Sequence, residues 1–447
     1  MIKNIICLAC YFLIGQYAVA QSQIMENYIQ TALQNNLVLK QEDFSIRKAM
    51  YALEEARSLY MPSVSFQATY TLAGGGRKID FPIGDLLNPV YNTLNKLTAS
   101  DNFPQVANLS LQFLPNNFHE TYLQVVQSVF NRDIYYNHQI KKSLIEVQKA
   151  QKEVYAFEIK RNVKQAYLQY LQVIEVKKIY VRTESLLKEV LRTNQKLVAN
   201  DKATSEIIFG TEYEIKKLES DMAEMEKNRQ VAQSYFNFLL NEPVETPIIV
   251  DTLLNLQPNF ALTLTEAEEK ALATRPEFKQ IKTAQTTNNF ALEMQKNGKY
   301  PKINVVGQAG FQGFRYSFDN NQNYWLLRAS LQWDIFKGLQ NKRKIEQIKV
   351  DQDKLTLKQQ EVSQQIRLQV QRAYYEWKAM EAVIIANTAA LVFAEKNFNL
   401  IRKKYEQGTA RYIERMDAQT KLLQAQIALT ISQHNALLKH TFLESLF

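Results

Sequence analysis

The chain has 447 residues, of which 46% are hydrophobic and 22% charged, with a formal net charge of +9. Basic and acidic residues alternate, as in KKLESDMAEMEKNR (Lys216–Arg229), which is typical of a solvated helix surface and argues against nucleic-acid binding. Beyond the first twenty residues no segment reaches about 18 uninterrupted apolar residues, so we expect no membrane-spanning helix.

Residues 1–20 have the features of a secretory signal peptide. Lys3 precedes an apolar run, and Ala18-Val19-Ala20 forms a small-residue cleavage site before Gln21. A lipoprotein signal is the alternative, although Cys10 would leave it a short apolar core. Both cysteines, Cys7 and Cys10, lie in this segment, so the exported protein has no disulfide and no cysteine metal site.

Two long tracts almost lack glycine and proline. Residues 116–242 contain only Gly210, and residues 339–447 contain only Gly408. This distribution predicts long helices, because these two residue types are the strongest helix breakers. The 69 residues of Leu339–Gln407 would form a rod of roughly 100 Å at 1.5 Å per residue.

Apolar residues in the second tract recur every 3.5 residues, from Ala373 to Tyr405, and again from Ile413 to Ile427. This period predicts packing against neighbouring helices in a left-handed supercoil. The single Gly408 between the two runs predicts the turn of an antiparallel hairpin, since glycine readily takes the left-handed conformation that ends a helix. A glycine tolerated within one helix is the alternative.

Four segments alternate apolar and polar residues with the period of a strand: Ser63–Leu72, Ala107–Phe113, Ile303–Phe311 and Trp325–Trp333. Their length is that of tilted strands crossing a bilayer, and aromatic residues near their ends are typical of an interfacial girdle. A soluble sheet covered by helices is the alternative. Four strands cannot close a barrel, so a membrane barrel would need several chains, and three chains would give twelve strands.

The two halves of the chain form an internal repeat. ALQNNLVLKQ (Ala32–Gln41) precedes ALATRPEFKQ (Ala271–Gln280) by 239 residues, and ANLSLQF (107–113) matches LRASLQW (327–333) at an offset of 220. The change of 19 residues would fall in the loop between strands. We therefore expect repeats at 21–240 and 263–447, joined by a connector at 241–262.

The segment YEQGTARYIERMDAQ (Tyr405–Gln419) resembles the TolC-like outer membrane efflux proteins. That family implies a mainly α fold with a membrane β-barrel part: long helical hairpins form a periplasmic tunnel, and four strands per chain build a twelve-stranded barrel in a homotrimer. It also implies an outer membrane location in a Gram-negative bacterium, a periplasmic membrane-fusion adaptor and an inner-membrane pump of RND or ABC type. The function would be an efflux or type I secretion duct.

The resemblance also implies gate residues. Glu414 and Asp417 occupy its two acidic positions, which in a trimer would form carboxylate rings at the narrowest point. Like charges held close raise one another's pKa and attract cations. Tyr405 matches a tyrosine that helps hold the closed tip, and its expected partner is Glu206.

The same resemblance assigns adaptor docking to the tip of the hairpins, here Gly408, Thr409 and Arg411 with Asn200 in the first repeat. Glycine at the tip would permit close backbone approach, and Asn200 would tolerate left-handed geometry in its place. The family's tip arginine is Ala410 in this chain, with Arg411 adjacent to it, so the closed-state latch departs from the family pattern.

The sequence contains no phosphate-binding loop after a strand and no nucleophile elbow, and its four histidines have no metal-ligand spacing. We therefore expect no catalytic residue, cofactor or metal. A periplasmic coiled-coil adaptor or scaffold without a barrel is the other candidate function. It would share the signal and the hairpins but would not need two matched pairs of bilayer-length strands.

Overall fold

The computed structural model describes residues 23–251 and 260–447. The predicted signal peptide, both cysteines and the middle of the connector lie outside the described residues. In chain order the elements are α1 (Gln23–Asn35), α2 (Leu37–Ser58), β1 (Ser63–Thr71), β2 (Lys78–Phe81), α3 (Ile83–Thr98), β3 (Leu109–Gln112), β4 (Phe118–Phe130), α4 (Arg132–Ala199), α5 (Glu206–Leu240), α6 (Leu264–Thr274), α7 (Pro276–Asn297), β5 (Lys302–Phe314), β6 (Asn323–Gln332), α8 (Gln340–Glu406) and α9 (Tyr412–Glu444).

The chain divides into a helical unit and a sheet unit. The helical unit comprises residues up to 50, 143–288 and 350–447, and the sheet unit comprises 51–142 and 289–349. The fold is mainly α, as expected, and the two predicted hairpins are present. Helices α4 and α8 contain 68 and 67 residues, each about 100 Å long at 1.5 Å per residue.

Two apolar cores hold the helical unit together at the level of α1 and α6. The first is built around Tyr167 and Phe236, both fully buried, and the second around Val370 and Trp377. The Tyr167 hydroxyl donates to Ile249 O at 2.9 Å and accepts from the Asp251 backbone N–H at 3.1 Å, which ties the start of the connector to the first core.

By length and composition, one helix of the described residues, α8, contains an 18-residue window apolar enough to cross a membrane, with mean hydropathy 1.3. The window is only 11% buried. A single such helix is weak evidence for a membrane span, because core helices of soluble proteins pass the same test.

The sheet unit contains a four-stranded antiparallel sheet in the order β1-β4-β5-β6. Its register aligns apolar side chains in rows across all four strands. One row is Phe66, Leu123, Ala309 and Trp325, and the next is Val64, Val125, Gly307 and Leu327. Side chains at alternate positions lie on the opposite face, where Gln308 Nε2 donates to Gln124 Oε1 at 2.7 Å. The sheet therefore has one apolar and one polar face.

The prediction of the second long strand is wrong. Residues 109–112 form the short β3, which pairs with β2 in a separate two-stranded sheet, and the long strand is β4 at 118–130. β4 lies in a tract that we assigned to helix because it lacks glycine and proline. Extended backbone was favoured there because β4 is central and forms ladders with both β1 and β5.

The repeat is present, but the match at an offset of 220 does not relate equivalent strands. α2 and α7 each have 22 residues, and β1 and β5 begin at Ser63 and Lys302, which preserves the offset of 239. α5 and α9 begin at Glu206 and Tyr412, only 206 residues apart. The loop between strands is therefore 33 residues longer in the first repeat, not 19.

That longer loop contains β2, α3 and β3. Asparagines of α3 hydrogen-bond the extended chain beside it: Asn88 and Val106 exchange bonds of 3.0 and 2.8 Å, and Asn95 and Phe103 exchange bonds of 2.8 and 3.1 Å. The stretch GDLLNPVYNTLNKL, which we treated as loop, is thus largely helical and folds back on its own segment.

Candidate functional site: the hairpin tips

The two hairpins turn in related ways. α8 ends at Glu406, and Gly408 follows with a left-handed φ of +73°. The Thr409 N–H donates back to Lys404 O at 2.8 Å, which satisfies a carbonyl at the end of the helix. Nothing lies within 4 Å of where a Cβ on Gly408 would be, so the backbone conformation is the local reason for glycine.

In the first hairpin the left-handed residue is Asp201, with φ +56°, and not Asn200. Asn200 instead donates its side-chain amide to Lys196 O at 2.6 Å and is exposed. The expectation that Asn200 takes the glycine-like geometry is wrong by one residue, because α4 continues to Ala199 before the turn begins.

Four polar side chains, one from each helix, form a hydrogen-bonded cluster that we call the tip network: Asn194 (α4), Thr211 (α5), Tyr405 (α8) and Tyr412 (α9). Tyr405 donates to Asn194 Oδ1 at 3.3 Å, and Asn194 Nδ2 donates to Thr211 Oγ1 at 2.9 Å. The Tyr412 hydroxyl lies 2.9 Å from the same Thr211 oxygen. The network therefore joins both hairpins within one chain.

Asn194 and Thr211 are fully buried, whereas the two tyrosines are half-buried. Desolvation by burial raises the pKa of both tyrosines, so they remain neutral hydroxyl donors at any physiological pH. Thr211 also donates to Ile207 O at 2.7 Å, which leaves its oxygen free to accept from Asn194 and Tyr412.

The expected contact between Tyr405 and Glu206 is wrong. The Tyr405 hydroxyl binds Asn194, while Glu206 is the first residue of α5 and is exposed. The buried amide at position 194 lies deeper in the hairpin and accepts the bond that we assigned to a carboxylate. Asn194, Thr211 and Tyr412 were not identified from the sequence, although polar residues in an apolar pattern are a usable signal.

Gly210, the only glycine of the first helical tract, serves the approach of Tyr412. A Cβ at Gly210 would lie 2.7 Å from Tyr412 Cε1 and 3.1 Å from its hydroxyl oxygen. Real Cβ atoms are not found so close, so the ring could not stay where it is. Glycine at position 210 allows Tyr412 to pack against α5 and reach Thr211.

The two acidic residues predicted for the gate lie in the first turns of α9. Glu414 accepts from the Arg411 backbone N–H at 3.1 Å and from its Nε at 3.2 Å. These bonds, the backbone bond foremost, lower the pKa of Glu414. Asp417 is exposed and pairs with Lys421 at 2.7 Å. Within one chain, each carboxylate therefore has a cation partner.

The predicted docking residues are accessible. Gly408 and Thr409 are exposed, and the Arg411 side chain is 80% exposed even though it pairs with Glu414. Among the described residues, no group of histidine, cysteine, aspartate and glutamate side chains could hold a metal ion.

Residues 268–442 match the sequence profile of the family described as "Outer membrane efflux protein". The resemblance to that family is confirmed. A search of curated proteins gives no match.

Solved structures of outer membrane channels share the efflux-protein fold over nearly the whole chain. The Campylobacter jejuni channel CmeC is 12% identical, with 95% of this chain and 85% of CmeC covered and a TM-score of 0.73. CusC is 14% identical, with coverages of 97% and 95% and a TM-score of 0.74. The open-state Neisseria gonorrhoeae channel MtrE is 15% identical, with coverages of 95% and 88% and a TM-score of 0.71. At these identities the likeness establishes the fold.

Proposed function

We propose that the protein is an outer membrane exit duct of a Gram-negative bacterium, with its sheet in the outer membrane and its hairpins in the periplasm. The observation that carries the proposal is the uncovered apolar face of the four-stranded sheet. Phe66 is 67% exposed, Trp325 80% and Leu327 68%. Large apolar side chains exposed in rows across a whole sheet are stable when they face lipid.

The sheet also has two edges that need partners. Strands β1 and β6 each pair with one neighbour in the part of the chain that the structure describes. An unpaired edge is not tolerated in lipid, and pairing β6 of one copy with β1 of the next removes both edges. Three copies would close a twelve-stranded barrel, so the proposed assembly is a homotrimer.

The duct is passive in this proposal. A periplasmic membrane-fusion adaptor docks on the exposed tip residues Gly408, Thr409, Arg411 and Asn200, and an inner-membrane pump of RND or ABC type supplies the energy. The protein provides a hole and a gate and catalyses no reaction. The tip network holds each chain's hairpins together, and Glu414 and Asp417 contribute to the constriction, where three copies would bring six carboxylates together.

A periplasmic adaptor or scaffold without a barrel is not favoured. A sheet in water would need its apolar face covered, and the exposed rows of the sheet unit are not. A scaffold would also gain nothing from residues that place apolar side chains on one face and glutamine on the other over four strands.

Two neighbouring leucines of β6 provide the test. Leu327 lies on the apolar face and pairs with Gly307, whereas Leu326 lies on the polar face and pairs with Gln308. Leu327→Lys should cost about 2–4 kcal/mol if its side chain faces the bilayer midplane and should reduce the amount of detergent-extracted trimer in outer membranes. Leu326→Lys, the matched control, should leave trimer assembly nearly unchanged.

Trimer yield is measured by membrane fractionation and size-exclusion chromatography with light scattering. Equal yields from the two lysine variants would contradict a lipid-facing sheet. A wild-type protein recovered as a monomer in the periplasmic fraction without detergent would contradict the duct itself.

A further inference from the structure

A cavity of about 660 Å³ lies between the two hairpins near their tips. Its walls come from both hairpins, with Val190, Leu197 and Ile207 on the first and Phe398 on the second. Both tyrosines of the tip network also line it. This volume and a mainly apolar wall with a few polar groups are typical of sites for small organic ligands.

Arg415 brings a positive charge to this cavity. Its guanidinium lies 5.3 Å from the centre of the Tyr405 ring, in cation–π geometry. No carboxylate of the described residues forms an ion pair with it, and burial lowers its pKa, which reflects the cost of keeping this charge away from water. An anion in the cavity would supply the missing partner.

The other charged groups lining the cavity leave a positive balance. Arg402 pairs with Glu406 at 3.9 Å, and Lys202 and Glu189 are further lining residues of opposite sign. Arg415 is therefore the cation without an acidic partner on this wall. The neighbouring aromatic rings favour a flat, apolar body attached to the anionic group.

We propose that this cavity is a binding site for small aromatic anions, with a carboxylate or sulfonate on Arg415 and the aromatic body against Phe398, Tyr405 and the aliphatic wall. The ligand would contact α4 and α8 together and so strengthen the packing of one hairpin on the other. The site depends on one chain's hairpins and is independent of the proposed duct function.

Isothermal titration calorimetry of the purified full-length protein in detergent tests the site with naphthalene-2-sulfonate as the probe. The neutral naphthalene-2-sulfonamide has nearly the same shape without the charge, and a titration into protein-free micelles removes the contribution of partitioning. We expect saturable binding of one sulfonate per chain and at least about tenfold weaker binding of the sulfonamide, since a hydrogen bond to a charged group is worth about that factor or more.

Arg415→Gln should weaken sulfonate binding by about 10- to 100-fold. Arg192→Gln is the matched control, because Arg192 lies on the same end of α4, is exposed and does not line the cavity. Ala203→Phe keeps every charge but places a ring in the cavity, and it should abolish binding. This second variant decides the matter if Arg415→Gln fails to assemble.

Absence of saturable heat with the wild-type trimer would overturn the proposal, as it would if a neighbouring copy filled the cavity. Equal affinity for sulfonate and sulfonamide would refute the role of Arg415. Unchanged binding by Ala203→Phe would place the probe elsewhere on the protein.

Discussion

The packing of Tyr412 on Gly210 gives a prediction with a change of sign. Replacing glycine by alanine inside a helix normally stabilises it by about 1 kcal/mol. In Gly210→Ala the new Cβ would lie 2.7 Å from Tyr412 Cε1, so the ring must move and its bond to Thr211 is lost. Overpacking costs about 1–3 kcal/mol and a lost hydrogen bond about 1 kcal/mol, so we expect Gly210→Ala to loosen the tip by about 0–3 kcal/mol overall.

The effect should reverse when the ring is removed. In a Tyr412→Leu background the clash disappears, while Thr211 keeps its bonds to Asn194 and Ile207. There, Gly210→Ala should stabilise the tip by about 0.5–1 kcal/mol, the ordinary gain in helix propensity. The four proteins form a double-mutant cycle with a coupling of at least about 1 kcal/mol between the two positions.

Native-state hydrogen exchange, followed by mass spectrometry of peptides around residues 205–215 and 410–420, measures the local opening free energy that the cycle requires. Peptides from the sheet unit are the internal control, because they should not respond. The same sign and size of effect in both backgrounds would refute the steric explanation for Gly210.

Gly408→Ala should loosen the second turn by about 1–2 kcal/mol in the same exchange assay, and Gly408→Asn by less, because only the left-handed φ and no contact opposes a side chain there. Asn194→Leu should cost the tip about 1–3 kcal/mol by leaving its buried hydroxyl partners unpaired, and unchanged exchange would contradict the tip network. Hydrogen bonds from neighbouring arginine and lysine lower the pKa of Glu226 to about 2 from 4.5, so its contribution to stability is complete above pH 4.5 and is lost as the pH falls towards 2; Glu226→Gln should flatten that part of an acid-unfolding curve. Replacing both Glu414 and Asp417 by alanine should reduce the cation preference of single-channel conductance in planar bilayers, and unchanged selectivity would remove these acids from the constriction.

The local features of the fold could be predicted from the sequence. The absence of helix breakers gave α8 to within one residue at each end, and Gly408 marked its turn because one backbone conformation there excludes most other residues. Strands β1, β5 and β6 were predicted from their two-residue period, and the repeat fixed their spacing. Each of these signals depends on neighbours along the chain.

β4 and the tip network were decided by tertiary structure. Residues 118–130 contain no breaker and could be helical, but they become the central strand because β1 and β5 present hydrogen-bonding edges on both sides. Asn194 lies 211 residues before Tyr405, and no local pattern joins them. A buried amide, a glycine and two tyrosines acquire their roles only when two hairpins pack, since the energy of each contact depends on a partner from a distant part of the chain.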